Sequence, residues 1–303
     1  MTRRKMLGVA VLASSIGWMG CGDDNGGGGG GDGPIALEKG DTGMAANYAC
    51  EPTAPDAGGE VAFTLEVRDF EMGFPVIGAC VNFYGDNVVP MNDTCGETFT
   101  DADGNIEVVD PDGGWYGYRI FEGENADEGQ EWVGTVQTNE EAPGDGGSAT
   151  GNSVSQNTIG LIPVVLGLTQ DPEDAVVSGT VQDCDGDPIA GAAVRVVRGG
   201  EVIPPMSGAA DAHYEYFNGD EFPQQGRSAT NTDGLYIGVN IPIDTEGEEV
   251  LVVSCGQEEG LLGCESIRAF RNTVNIINVG PERSDGPAGC ADLTDSICDG
   301  AFD

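Results

Sequence analysis

The feature that most constrains this chain is a pattern that occurs twice. Val177 to Val197 (VSGTVQDCDGDPIAGAAVRVV) is answered downstream by Thr230 to Ile237 (TNTDGLYI). A fainter version runs from Leu65 to Tyr84 (LEVRDFEMGFPVIGACVNFY) and is followed by Thr100 to Ile106 (TDADGNI). Around both, apolar residues alternate with polar ones. Val61, Phe63, Leu65 and Val67 share one face and Thr64, Glu66 and Arg68 the other, as a half-buried antiparallel strand requires. Leu235, Ile237, Val239 and Ile241 repeat that alternation, and Asp-Gly pairs such as Asp103-Gly104 mark tight turns between strands. Further strands are expected at 79–84, 106–109, 115–121, 132–138, 158–168, 176–182, 192–197, 250–255 and 267–279. The apolar phase of the last changes between Ile276 and Ile277, which predicts a bulge or bend. No helical stripe of useful length follows the N-terminal segment. The expectation is an all-β chain of two tandem antiparallel β-sandwiches, 44–169 and 174–282, divided at Thr169 to Asp174 (TQDPED), with an acidic, cysteine-containing tail at 283–303.

The second copy resembles the carboxypeptidase regulatory-like domain, a prealbumin-like sandwich of about seven strands grouped with carbohydrate-binding-like folds. Gly179, Val181, Asp183, Gly186, Pro188, Ile189, Gly191, Ala192, Val194 and Val196 carry the likeness, with Thr230, Asp233, Gly234 and Tyr236. The first copy keeps Pro75, Gly78, Ala79, Val81, Thr100, Asp103 and Gly104, and reads as a diverged relative. The resemblance implies a scaffold without catalytic residues of its own.

Residues 1–20 read as an export signal, with Arg3, Arg4 and Lys5 ahead of a short apolar stretch. Gly20-Cys21 followed by a Gly-rich tether over 21–43 resembles a bacterial lipoprotein signal, in which Cys21 would be lipidated and become the mature N-terminus. This predicts an exported protein held to the outer membrane by its lipid, on the cell surface or the periplasmic face. Thr2 to Leu7 also resembles a twin-arginine export motif. With 12 Lys+Arg against 52 Asp+Glu, a formal net charge of −40, direct binding to nucleic acid or anionic headgroups is excluded.

The single histidine, His213, rules out zinc and non-haem iron sites that need two, and no nucleophile elbow is present. The expectation is therefore no enzymatic activity and no cofactor. With Lys5 in the signal and Lys39 in the tether, no lysine is expected within either sandwich, so an internal Lys-Asn isopeptide bond is excluded. Once Cys21 is set aside, Cys50, Cys80, Cys95, Cys184, Cys255, Cys264, Cys290 and Cys298 form an even set in an exported chain. Spacing favours Cys80–Cys95, Cys255–Cys264, Cys290–Cys298 and Cys50–Cys184, with Cys184–Cys255 as a rival.

Two further groups of residues invite a ligand. Asp183, Asp185 and Asp187, and likewise Asp101, Asp103 and Asn105, place oxygens at i, i+2 and i+4, the opening of a calcium loop. Both lack the closing bidentate Glu, and turn chemistry explains them equally. The stretch 204–227 is an insertion that the first copy lacks. Its His213, Tyr214, Tyr216 and Phe217 would form either a stacking platform for a sugar or a cover for one sheet edge. The functional expectation is a lipid-anchored structural or adhesive surface module whose partner is a surface protein or polysaccharide. The alternative is a carbohydrate-binding protein accessory to polysaccharide handling.

Overall fold

In the computed structural model the described residues are 34–48, 50, 58–125, 130–219, 222–281, 286–287 and 289–302, and Cys21 and the Gly-rich stretch before residue 34 lie outside them. The N-terminal segment carries two short strands, β1 (Glu38–Lys39) and β2 (Met44–Ala45). The first copy supplies β3 (Val61–Asp69), β4 (Val81–Tyr84), β5 (Asn105–Asp110), β6 (Trp115–Ile120), β7 (Gly123–Asn125), β8 (Gln130–Trp132), β9 (Gly134–Glu141) and β10 (Ser148–Ser153). A helix, α1 (Gln156–Leu166), leads to the second copy. That copy holds β11 (Ala175–Thr180), β12 (Ile189–Ala190), β13 (Ala193–Arg198), β14 (Glu201–Val202), β15 (His213–Phe217), β16 (Pro223–Gln224), β17 (Leu235–Ile241), β18 (Glu248–Gly256), β19 (Gly260–Ala269) and β20 (Thr273–Ile277).

The duplication is written in hydrogen bonds. In the first copy Thr100 Oγ1 donates to the Val76 carbonyl at 2.6 Å and accepts from the Ala79 N–H at 2.9 Å. Thr230 does the same with Ile189 at 2.6 Å and Ala192 at 3.0 Å. The amide of Val67 donates to Gly104 and that of Val76 to Val67, just as Val181 donates to Gly234 and Ile189 to Val181. Val67, Val76, Ala79, Thr100 and Gly104 therefore occupy the places of Val181, Ile189, Ala192, Thr230 and Gly234. The faint sequence copy is a structural copy.

Each copy is a sandwich of two sheets, and the all-β expectation holds. In the first, β10-β3-β5 faces β4-β6-β9; in the second, β20-β11-β17-β15-β16 faces β14-β13-β18-β19. Not every pairing is antiparallel, because β10 runs parallel to β3 and β20 parallel to β11. A third parallel pairing, Thr273 opposite Gly134 through Ile277 opposite Thr138, joins β20 to β9. One eight-stranded sheet, β16-β15-β17-β11-β20-β9-β6-β4, thus runs through both copies.

Three apolar cores follow from this arrangement. The first sandwich encloses Phe63, Leu65, Val67, Val81, Tyr116, Tyr118 and Ile120, with Phe63, Phe83 and Tyr116 in mutual ring contact at 5.3–5.8 Å. The second encloses Val177, Val194, Val196, Tyr236, Val252 and Ile267 among others. The third lies on the outer face of the shared sheet, where Ile159 and Leu166 of α1 pack on Val133, Val154, Val176, Ile237 and Val274. Strands buried on both faces carry continuous apolar runs such as Ala175-Val176-Val177.

Helix α1 replaces the strand expected at 158–168. Ser155 caps it by accepting from the Thr158 N–H at 3.1 Å, and Gly167 ends it in the left-handed conformation with its N–H on the Pro163 and Val164 carbonyls. Its buried residues are Ile159, Pro163 and Leu166, but Leu161, Val164 and Val165 are apolar and exposed, so the stripe is invisible in the sequence. The expected strand at 267–279 is instead the end of β19, a turn through Arg271-Asn272, and β20.

The N-terminal segment is part of the second sandwich. Strand β1 pairs with β12, Glu38 opposite Ala190 and Lys39 opposite Ile189, and Leu37 enters the second core. Gly191 makes the approach possible. With φ at +89°, a Cβ there would lie 2.3 Å from the Ala36 carbonyl oxygen, whereas one on its counterpart Gly78, at +73°, would meet nothing within 4 Å. Gly78→Ala is expected to cost only the left-handed strain, about 1–2 kcal/mol. Gly191→Ala should cost more in urea unfolding and also expose residues 34–48 to protease; equal losses would show that the segment does not depend on this contact.

Candidate functional site

The strongest concentration of charge with a defined geometry is the turn between β11 and β12. Asp183 Oδ1 accepts the backbone N–H groups of Asp185 at 2.9 Å and Asp187 at 3.1 Å, and the Asp183 N–H donates to the Asp187 carbonyl at 2.9 Å. Gly186 takes a positive φ of 79° to close the loop. The three side chains turn their second oxygens to one point, and Lys39 fills it. Its Nζ lies 2.5 Å from Asp185 Oδ2, 2.8 Å from Asp187 Oδ2 and 3.3 Å from Asp183 Oδ2. Next to it, Cys184 is bonded to Cys50. The segment 34–50 is thereby latched to the second copy by a strand ladder, an ammonium and a disulfide.

One expectation changes here. Lys39 does not belong to a free tether, and its ammonium sits at the point where Asp183, Asp185 and Asp187 converge. The hydrogen bonds and charge of the three carboxylates hold the Lys39 ammonium well above its ordinary pKa, so it stays protonated at neutral pH. Burial pushes the Asp183 carboxyl up, but the Asp185, Asp187 and Asn47 amides with Lys39 bring it below its ordinary value. A depressed carboxyl stabilises the fold above its unfolded pKa, about 3.9, and loses that contribution as pH falls through the folded value. The raised Lys39 contributes up to its unfolded pKa, about 10.4, and is lost only above it. Acidification below about pH 4 is therefore expected to weaken the ionic part of the latch and loosen β1, with the Cys50–Cys184 bond still in place. Hydrogen exchange at residues 37–46 checks this: protection unchanged down to about pH 2 would refute it.

Asp101, Asp103 and Asn105 form the same turn in the first copy, as turn chemistry alone predicts. Asp101 Oδ1 accepts from the N–H groups of Asp103 and Asn105, each at 2.9 Å, and these bonds hold its carboxyl below the ordinary value. Arg68 donates to the Asp103 carbonyl at 3.0 Å. Among the described residues the carboxylates converge as a group of three only at 183–187.

The four aromatic residues of the insertion do not stand together as one exposed surface: His213 and Tyr214 are half-buried and Tyr216 and Phe217 are buried. Tyr216 is 2% exposed, and its hydroxyl accepts from the Val194 N–H at 2.8 Å. The Tyr214 hydroxyl accepts from the Val196 N–H at 3.2 Å and donates to the Ile203 carbonyl at 2.8 Å. Phe217 is buried in the third core, and His213 Nε2 is bonded to the Gly208 carbonyl at 2.8 Å. Strand β15 covers the edge of β17, with Tyr214 and Tyr216 turned into the sandwich and Phe217 into the third core on the other face of the sheet.

All eight candidate cysteines are paired. Cys50–Cys184 and Cys80–Cys95 are as spacing suggested. The other two pairs are Cys255–Cys298 and Cys264–Cys290, in place of Cys255–Cys264 and Cys290–Cys298, and the rival Cys184–Cys255 is likewise absent. Spacing weighs only the nearest partner along the chain. In space the tail folds back over β18 and β19, so each of their cysteines meets one from the tail. Arg195, 4% exposed, fixes the same tail by donating to the Gly300 carbonyl at 2.6 Å, its guanidinium 5.2 Å from the Tyr214 ring centre.

A cleft of about 530 Å³ opens where the copies meet, and sequence reasoning did not anticipate it. At its floor the Arg119 guanidinium sits between Phe121 of the first copy, at 4.6 Å, and Phe270 of the second, at 3.8 Å. Arg119 also donates to the Asp93 carbonyl oxygen at 3.3 Å, and the Asp93 carboxylate is held by Tyr84 and by Asn82 at 2.9 Å. Arg271 bonds Glu173 at 3.0 Å on the other wall. The one available signal was the scarcity of basic residues: an arginine in a strand of a chain this acidic has a structural reason to be there.

No family model and no curated protein sequence matches this chain significantly. Solved structures similar to it include the Bacillus anthracis TIE protein, at 11% identity and a TM-score of 0.24 over 74% of this chain. The chain spans only 34% of that protein's length. The shaft pilin SpaA from Lactobacillus rhamnosus GG is similar at 10% identity and a TM-score of 0.22, over 76% of this chain and 98% of that one. A minor pilin of Streptococcus agalactiae stands at 10% and 0.24, over 75% and 98%. At these values the likeness carries no functional reading. Among the described residues no helix is long and apolar enough to cross a membrane.

Proposed function

We propose that this chain is an exported, non-catalytic surface module, held to the outer membrane by lipid on Cys21 and serving as a structural or adhesive spacer. The observation that carries this reading is where the tether enters the fold. The segment that follows it is fastened to the second copy, through β1 on β12, Lys39 among three carboxylates and the Cys50–Cys184 bond. A load applied along the tether therefore reaches a covalent bond and a strand ladder before it reaches the first copy. The shared eight-stranded sheet and the tail disulfides distribute it further. Such cross-linking suits an oxidising, extracellular setting, and the charge of −40 keeps the surface soluble and apart from anionic headgroups.

The test is expression of the full chain and its Cys21→Ala variant in a bacterium with an outer membrane. Metabolic labelling with palmitate should mark the wild type, and fractionation should place it with membranes and release the variant. An unmodified Cys21, or a mature N-terminus elsewhere, overturns the anchor. A polysaccharide array should retain none of the mature chain; retention of one glycan would replace the spacer reading with carbohydrate handling.

A further inference from the structure

The two copies differ at one edge, and the difference exposes a docking surface. In the second copy β15 lies antiparallel on β17, His213 opposite Val239 and Tyr216 opposite Tyr236. From there Tyr214 and Tyr216 reach across to the other sheet and accept the N–H groups of Val196 and Val194 on β13. One strand with tyrosines at alternate positions thus closes the seam between the sheets. By the matching hydrogen bonds, β5 stands where β17 stands, and Val81 and Phe83 of β4 stand where Val194 and Val196 do. Among the described residues the first copy has no counterpart to β15.

Its seam is accordingly open among the described residues. Strand β5 ends the sheet β10-β3-β5, and β4 ends the eight-stranded sheet. Between them lies a groove of about 360 Å³ whose walls include Val81, Phe83, Tyr84, Ile106, Glu107 and Val109. The ladder with β3 fixes which groups face it. The Val67 amide bonds Gly104, so Ile106, Val108 and Asp110 are the residues of β5 that exchange hydrogen bonds with β3. The amides and carbonyls of Glu107 and Val109 then point away from β3, and the Val109 side chain is 53% exposed. On the opposite wall the Val81 N–H is taken by Thr98, and by the same alternation the Phe83 N–H faces the groove.

We propose that this groove receives an extended strand of another protein, added antiparallel to β5 as β15 is added to β17. The strand carries an aromatic hydroxyl side chain at the place of Tyr214 and is basic. The first property follows from the filled seam of the second copy, where Tyr214 meets the Val196 amide; its counterpart, the Phe83 N–H, faces the groove, while the counterpart of the Val194 amide is already held by Thr98. The second follows from charge: Glu107 lines the groove, and the whole chain carries −40. The same charge opposes a second copy of this chain as the occupant, since antiparallel pairing of two β5 strands would bring acidic residues together. Strand addition to an exposed edge takes its affinity from main-chain bonds and its specificity from alternate side chains. The inference deepens the reading of the chain as an adhesive module by naming the class of partner.

The test uses the mature full-length chain and a fluorescein-labelled synthetic peptide, KHYKYFK, followed by anisotropy at about 0.15 M salt. Saturable binding is expected, with affinity reduced about tenfold or more by Val109→Pro, which removes an outward N–H and leaves the bonds to β3 in place. Glu107→Lys, an exposed substitution that keeps the strand, should weaken the same peptide, and alanine at both peptide tyrosines should abolish binding. Lack of saturable binding, or equal binding by both protein variants, overturns the proposal. Self-association abolished by Val109→Pro in sedimentation overturns the choice of occupant. The anchor of Cys21 is read by palmitate labelling and stands or falls separately.

Discussion

Serine at both Cys50 and Cys184 is expected to produce the largest loss of stability of any disulfide removal in this chain. The bond closes a span of 134 residues, against 43 for Cys255–Cys298, 26 for Cys264–Cys290 and 15 for Cys80–Cys95. In the chain-entropy model the cost of losing it is about 5 kcal/mol, against about 3 kcal/mol for the shortest loop. The nested Cys80–Cys95 bond shortens the long loop slightly. The native contacts around it favour a full effect, because the strand pairing of β1 and the Lys39 ion pairs then hold the segment without covalent help. Guanidinium unfolding of the double serine variant, at an unchanged denaturant slope, checks the figure. A loss no greater than that of the Cys80/Cys95 double variant would show that the segment comes away from the second copy once the bond is gone, so that ladder and ion pairs do not hold it unaided.

Arg119→Ala is the second large effect, and its mechanism is different. The Arg119 and Asp93 side chains are 13% and 9% exposed, 3.8 Å apart across N and O, and two phenyl rings flank the guanidinium. Asp93 keeps its bonds from Tyr84 and Asn82, so the variant loses the charge pair and the bond to the Asp93 carbonyl, at about 1.5–3 kcal/mol. Each ring contact adds about 0.5–2 kcal/mol. Because Phe270 belongs to the second copy, the loss falls on the junction. The wild type is expected to unfold in one transition, and Arg119→Ala in two, with the first copy separating from the second at lower denaturant. Arg119→Met retains the stem and the ring contacts without the charge, so it should lose less. A single, unshifted transition for Arg119→Ala would place the strength of the junction in the β9–β20 ladder instead.

The fold was legible where a local pattern has one physical meaning. Alternation at Val61 to Val67 and Leu235 to Ile241 reads as strand, and both segments are strands, β3 buried on one face but β17 on both. The Asp-Gly turns at 103–104 and 233–234 were readable because a positive φ calls for glycine, and both glycines have it. Helix α1 was not readable, since its apolar residues surround the axis and its outer face is exposed. The Tyr214 and Tyr216 platform failed for a related reason. A tyrosine in an insertion looks like surface until the partner of its hydroxyl is known, and here each partner is an edge amide across the sandwich.

By itself the sequence determined the duplication, the strand turns, the charge and the set of cysteines that pair, because those depend on residue type and spacing along the chain. Tertiary structure alone decided which cysteine of β18 or β19 meets which cysteine of the tail, that the Lys39 ammonium sits where Asp183, Asp185 and Asp187 converge, and that one sheet joins the copies. It also decided that the seam of the first copy stays open while that of the second is closed. Each of these joins residues far apart in the chain, such as Lys39 and Asp185 at a separation of 146. No local propensity encodes such a contact; it forms only where the burial of several elements together offsets the entropy of bringing them to one place.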